Sequence, residues 1–365
     1  MSIYELLPSN IKNIRSYLPG KPAEELEREL EISLVRMAAN ENPLGPAPRS
    51  AEAIRLHSER VHRYPIGDGF YLRQKLAQRL GLSMEEIILG NGSSDIIELV
   101  ARTFLTPTDE TVTSRSSFVM YGLAAQQMNS RMIYVPMKND RYDLEAILSS
   151  LTPRTKVIFL ANPNNPTGTM FTAEEMDGFL SHLAPQIIVV LDEAYYEYVQ
   201  DPHYSHSLEY VKQRRHVIVL RTFSKIYGLA GLRIGYGIAH ADFISCLNQV
   251  RSPFNTSRVA QVAALAALDD TDHVRKSIEC NTQGYQYLTH ELSRLGMKFV
   301  PSVTNFILVD TQRDCLEEYQ RLIQRGVMIW PLKSNGFPTA FRVTIGTQAE
   351  NEKFIEALER VLCMG

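Results

Sequence analysis

From about residue 48 to about residue 250, short apolar runs alternate with amphipathic ones. The clearest runs are "KVIFLAN" (156–162), "IIVVLDEA" (187–194) and "VIVLRTF" (217–223). Each is apolar on successive positions rather than alternate ones, the pattern of strands covered on both faces. Between the first two, "FTAEEMDGFLSHLA" (171–184) has helical apolar spacing, and Thr172 with a glutamate three residues on predicts a capped start. Strand–helix–strand repetition predicts an α/β fold with a mostly parallel sheet under helices and right-handed crossovers.

The pattern changes on either side of this region. "SRVAQVAALAALDD" (257–270) predicts a connecting helix, and beyond it helices alternate with the strands "NFILVD", "VMIW" and "AFRVTIG", a smaller α+β lobe. The first 35 residues predict an arm and a short helix begun at Pro22, with Leu26 and Leu30 on one face. The expected division is an N-terminal arm and helix over 1–40 packing with the small lobe, a large domain over 41–255, and the connector with a small C-terminal domain over 256–365. A chain of 365 residues suits two lobes, because single cores rarely grow past ~250–300 residues.

Composition narrows the function by exclusion. A net charge of −3 with 22% charged residues offers no electrostatic reason to bind nucleic acid or an anionic membrane. No apolar run approaches the ~18 residues of a membrane span. "MSIYELLPSN" lacks a basic flank leading into an apolar stretch, so a cytoplasmic protein is expected. Cys246, Cys280, Cys315 and Cys363 are scattered, no CxxC or HExxH occurs, and His203 and His206 fall in a loop; no metal site is expected.

In an open parallel sheet, ligands bind beyond the carboxyl ends of the strands. "NPNNPTG" follows the first run, Asp192 and "EAYYEY" the second, Ser224 and Lys225 the third. Singly these read as a turn, a capping carboxylate and a surface lysine. Together at one mouth they suit Schiff-base chemistry on a phosphorylated aldehyde such as pyridoxal 5'-phosphate. Lys225 supplies the amine and Asp192 faces the pyridinium nitrogen. Asn165 and Tyr195 donate to the phenolic oxygen, while Ser224 and Arg233 hold the phosphate. "LGNGSSDIIELVARTFL" (89–105) runs from a glycine turn into a helix, an anion site at Ser93 and Ser94. As a nicotinamide-binding loop it is incomplete, since Asp95 stands where the third glycine belongs, and no GxxxxGK[ST] occurs.

"NPNNPTG", "DEAYYEY" and "SKIYGLAGLRIGY", in this order, resemble the fold-type I pyridoxal-phosphate aminotransferases. "AANENPLGPAP", "RYP" (63–65), "LGNGSSDII" and "FRVTIGT" narrow the resemblance to the histidinol-phosphate aminotransferase group. It implies that Lys225 binds the cofactor and shuttles the substrate's α-proton, and that Phe118 stacks on the cofactor ring. It implies also that Tyr64 reaches the partner's cofactor phosphate in a homodimer, that Arg342 grips an α-carboxylate, and that Tyr17 and Asn42 line the substrate pocket. One departure bears on substrate: Trp330 stands where the family pattern has an arginine for the substrate's own phosphate. Imidazole acetol phosphate with glutamate is the first substrate pair implied. An aromatic or other non-phosphorylated amino acid is the second, and decarboxylation or cyclisation would use the same cofactor residues.

Overall fold

The computed structural model describes residues 2–14, 21–213 and 216–363, so Tyr17 lies outside the described residues. Its strands are β1 (Val35–Arg36), β2 (Ile87–Gly90), β3 (Glu110–Ser114), β4 (Arg131–Val135), β5 (Thr155–Ala161), β6 (Ile188–Asp192) and β7 (Val217–Thr222), then β8 (Gly235–Ala239), β9 (Lys298–Val300), β10 (Phe306–Asp310), β11 (Val327–Met328), β12 (Trp330–Pro331) and β13 (Ala340–Thr344). Seven of them form one sheet in the order β2-β8-β7-β6-β5-β3-β4. Pairing is parallel from β7 across to β4, and β8 runs against both of its neighbours.

The three runs singled out in the sequence are β5, β6 and β7, at the centre of this sheet. Val157–Leu160, Ile188–Leu191 and Val217–Leu220 are buried throughout. Helices cover both faces, and burying each such side chain contributes about 1.5–3 kcal/mol. Because β8 is antiparallel, its first residue pairs with the last residues of β2 and β7, as Gly90↔Gly235 and Thr222↔Gly235. The carboxyl ends of the parallel strands and the start of β8 thus share one edge.

The helix Arg258–Ala267 was expected to join the lobes. Instead Ala260, Ala263, Ala264 and Ala267 are buried in the larger core, where their small side chains let the helix lie close against Pro48–His57. The span to the second core is made by the 24-residue helix Thr271–Arg294. Val274 and Ile278 touch the larger core; Leu288 and Leu292 lie inside the smaller one.

The smaller sheet, β12-β13-β10-β9, is antiparallel. Side chains alternate across it: Ile307, Val309, Phe341 and Val343 join the apolar core with helices 271–294 and 348–362, so Leu308 and Arg342 point to the other face. β1 pairs with β11, Val35 opposite Val327, which ties the N-terminal segment to this lobe. Among the described residues no helix is long and apolar enough to cross a membrane.

Candidate active site

The shared edge of the large sheet opens into a cleft of about 260 Å³. Ser93, Ser94, Phe118, Asn165, Asp192, Tyr195, Ser224, Lys225 and Arg233 all line it. Their convergence follows from the topology. Asp192 is the last residue of β6, and Ser224 and Lys225 follow β7 by two and three residues. Arg233 precedes β8 by two, so it reaches the same edge only because that strand is antiparallel.

Lys225 is half-buried at the cleft floor, its Nζ 3.3 Å from the carbonyl oxygen of Ala39. Burial, with help from Arg342 and Arg233, pulls its pKa down to about 7, against the opposing pull of Glu41 and Asp192. Near neutral pH a large share of this amine is therefore unprotonated and nucleophilic. Asp192 is driven the other way. Burial raises its pKa to about 6, opposed by the Tyr121 hydroxyl donating to Oδ2 at 2.9 Å and the Ala194 N–H donating to Oδ1 at 3.2 Å. It remains a carboxylate at pH 7.

The anion-binding corner is built from backbone as much as from side chains. Gly92 caps helix Ser93–Phe104 with φ 80° and ψ 167°, a conformation essentially reserved for glycine. A Cβ on Gly92 would fall 2.5 Å from an Nη of Arg233, so the bare glycine lets the guanidinium lie against the helix start. The first N–H groups of a helix have no partner within it, and the dipole there favours negative charge. Arg233 Nη1 donates to Ser224 Oγ at 3.4 Å and to the Ala230 carbonyl at 3.1 Å. Thr222, unremarked in the sequence, holds Ser224 in place: its Oγ1 accepts the Ser224 N–H at 3.1 Å and donates to Ser224 Oγ at 3.0 Å.

The remaining expected residues are placed differently. Arg342 reaches up from β13, donating to Asn165 Oδ1 and, at 2.7 Å, to the Ala38 carbonyl; its Nε is buried without a partner. Trp330 is paired directly opposite Arg342 in the antiparallel β12–β13 register. Opposed residues share a sheet face, so Trp330 lies on the same face as Arg342; the indole is exposed, and neither residue is among those lining the cleft. Asn42 does not line the cleft. Its amide donates to the Ile226 carbonyl (2.7 Å) and Ser277 Oγ (2.9 Å), which braces the loop carrying Lys225. Tyr64 is exposed and stacks on Phe254 with centroids 4.7 Å apart, outside the cleft of its own chain. Tyr121, Glu41 and Asn40 escaped the sequence reading. Tyr121 and Glu41 line the cleft, and Asn40 Nδ2 donates to the Tyr195 hydroxyl oxygen at 2.9 Å. Tyr121 lies three residues after Phe118, a helical spacing that was the one available signal.

A depressed lysine, a buried carboxylate and an anion corner at one edge of a mostly parallel sheet define an enzyme class in which an amine attacks a carbonyl. The chain matches the family "Aminotransferase class I and II" over residues 32–358 and belongs to it. It is 49% identical over 354 residues, 96% of this chain and 92% of the relative, to the histidinol-phosphate aminotransferase of Moorella thermoacetica. Identity to histidinol-phosphate aminotransferase 1 of Nitrosococcus oceani is 43% over 98% of this chain and 97% of the relative. A solved structure, the Sinorhizobium meliloti histidinol-phosphate aminotransferase in complex with pyridoxal-5'-phosphate, superposes with a TM-score of 0.89 at 29% identity, covering 98% of each chain.

Proposed function

We propose that this aminotransferase uses pyridoxal 5'-phosphate to exchange the amino group between glutamate and imidazole acetol phosphate, forming histidinol phosphate and 2-oxoglutarate in histidine biosynthesis. The observation that carries the reading is the pairing of Lys225, unprotonated in large part at pH 7, with Asp192, mostly ionised at the same pH, across one cleft. The names and near-full-length identity of the relatives support the substrate. The cleft suits the cofactor: the Gly92 cradle with Arg233, Ser224 and the helix start offers donors to a phosphate, and Asp192 offers an acceptor to a ring nitrogen.

Bound there, pyridoxal phosphate supplies an aldehyde for amines and a protonated ring that draws electron density from the substrate's α-carbon. The residues do the rest. Lys225 Nζ would take the proton from the substrate's α-carbon and deliver it to the carbon that supplied the aldehyde, with the reverse transfer in the second half of the exchange. Asp192 keeps the ring nitrogen protonated by holding negative charge beside it. Asn165 and Tyr195 donate to the phenolic oxygen, Phe118 packs against the ring face, and Arg342 binds the substrate's anionic group with its planar fork.

The same reading includes a homodimer in the cytoplasm, with Tyr64 serving the partner's cleft. Exposed Leu56, Val61, Tyr64, Phe70 and Tyr71 support it, since such apolar surface normally meets a partner. The division into arm (1–40), large domain (41–255) and small domain (256–365) belongs to the proposal too, with helix 258–267 packing on the large side. A second substrate reading, a planar aromatic amino acid, is favoured by Trp330 beside Arg342. Single-turnover spectra with histidinol phosphate, glutamate and phenylalanine decide between them. Conversion by histidinol phosphate at the lowest concentration supports the first reading. Conversion by phenylalanine and not histidinol phosphate overturns it.

A further inference from the structure

Asp192 ends β6 in the cleft floor, and its two oxygens have different partners. Oδ1 takes a backbone N–H from its own turn, whereas Oδ2 takes the hydroxyl of Tyr121, from helix Met120–Gln127. Tyr121 has no exposed surface. Its ring stacks on Phe159 (centroids 5.1 Å apart, planes 9° apart) and meets Phe118 edge-on at 5.7 Å. Fully buried and packed against these two rings, the phenol cannot swing aside without disturbing the core, so its O–H is held towards one carboxylate oxygen. Such a bond to a charged acceptor is directional and among the stronger kinds.

We propose that Tyr121 is the positioning residue of Asp192, holding its carboxylate in the orientation and charge that meet a protonated ring nitrogen. The inference rests on the reading of Asp192 given above. Tyr121 never touches the reacting atoms in this account; it acts through the carboxylate.

The surroundings of Asp192 show why one hydroxyl matters. Facing it are Tyr121, Tyr142 and Tyr195, the adjoining Glu193, and Lys225 from the loop after β7. Burial and Glu193 push the carboxyl up; Tyr121, the Ala194 N–H and Lys225 hold it down, with the Tyr121 bond the largest restraint. Removing that hydroxyl moves the Asp192 pKa upward from about 6. Protonation of the carboxyl, complete well below pH 6 in the wild type, then reaches into the neutral range. Any ligand that needs the charge is weakened there and recovers as pH rises.

The test is the affinity of the cofactor-free protein for pyridoxal phosphate, titrated between pH 5.5 and 8.5 for the wild type, Tyr121→Phe and Asp192→Asn. Tyr121→Phe removes only the oxygen and leaves the stacked ring. For a rise of one pKa unit the expected result is a loss of roughly eightfold at pH 5.5 that falls to about threefold near pH 6.5 and closes towards wild-type affinity by pH 8.5. A loss equal at every pH marks a merely structural role and overturns the proposal, as does no loss at all. If Asp192→Asn binds as tightly as wild type throughout, the ring-nitrogen reading of Asp192 itself fails and takes this inference with it. If Asp192→Asn is weak and Tyr121→Phe shows no pH-dependent loss, only the present inference falls.

Discussion

Gly92→Ala tests the anion corner with a single methyl group. The native φ of 80° and ψ of 167° lie in a region that costs a side-chain-bearing residue of order 1–3 kcal/mol. The new Cβ would also sit 2.5 Å from Arg233 Nη2 and 3.2 Å from its Cζ, so the guanidinium must move. Losing a hydrogen bond from that charge to a bound phosphate costs about 1.5–3 kcal/mol, which is roughly 10- to 100-fold in cofactor affinity. Gly81→Ala is the control. It too replaces a positive-φ glycine (φ 66°), at the end of helix Phe70–Leu80, but its Cβ meets nothing within 4 Å. There the expected cost is ~1–2 kcal/mol of stability alone. Chemical denaturation of the cofactor-free proteins measures the first quantity, and titration with pyridoxal phosphate the second. Both variants should lose stability, and only Gly92→Ala should lose affinity. Wild-type affinity in Gly92→Ala would refute the placement of Arg233 at the phosphate.

Two further variants probe the charges around the site. Glu41 raises the Lys225 pKa, so Glu41→Gln should lower it below about 7; the pH at which the cofactor-free protein begins to react with aldehyde then shifts down, and an unchanged or upward shift contradicts the assignment. Glu193 and Arg221 form a buried pair 2.9 Å apart, with Arg221 also 3.5 Å from the centre of the Tyr196 ring. Glu193→Gln strands that guanidinium and should cost about 3–5 kcal/mol of stability in denaturation, and a loss under ~1 kcal/mol would show that the pair contributes little.

Much of the large sheet was legible because β5, β6 and β7 are covered on both faces, which leaves unbroken apolar runs whose carboxyl ends can be read off directly. Asp192, Ser224, Lys225 and Asn165 followed from those ends. What escaped depended on partners distant in sequence. Nothing local reveals that β8 is antiparallel, the fact that carries Arg233 to the cleft. The alanine face of 258–267 suits a connector and a tightly packed core helix equally well. Asn42 is polar and close to Lys225 in space, yet its amide is committed to Ile226 and Ser277, a contact 235 residues away in the second case. The side to which Trp330 points was fixed only by its register with Arg342.

The central claim is that Lys225, among all the lysines of the chain, condenses with the cofactor aldehyde. Reducing the holoenzyme with borohydride makes that bond permanent, and peptide mass spectrometry then locates it. The account predicts a phosphopyridoxyl mass on the peptide containing Lys225, at about one per chain, and none there in Lys225→Ala. A label confined to another lysine, or a purified protein that takes up no pyridoxal phosphate at all, would contradict it.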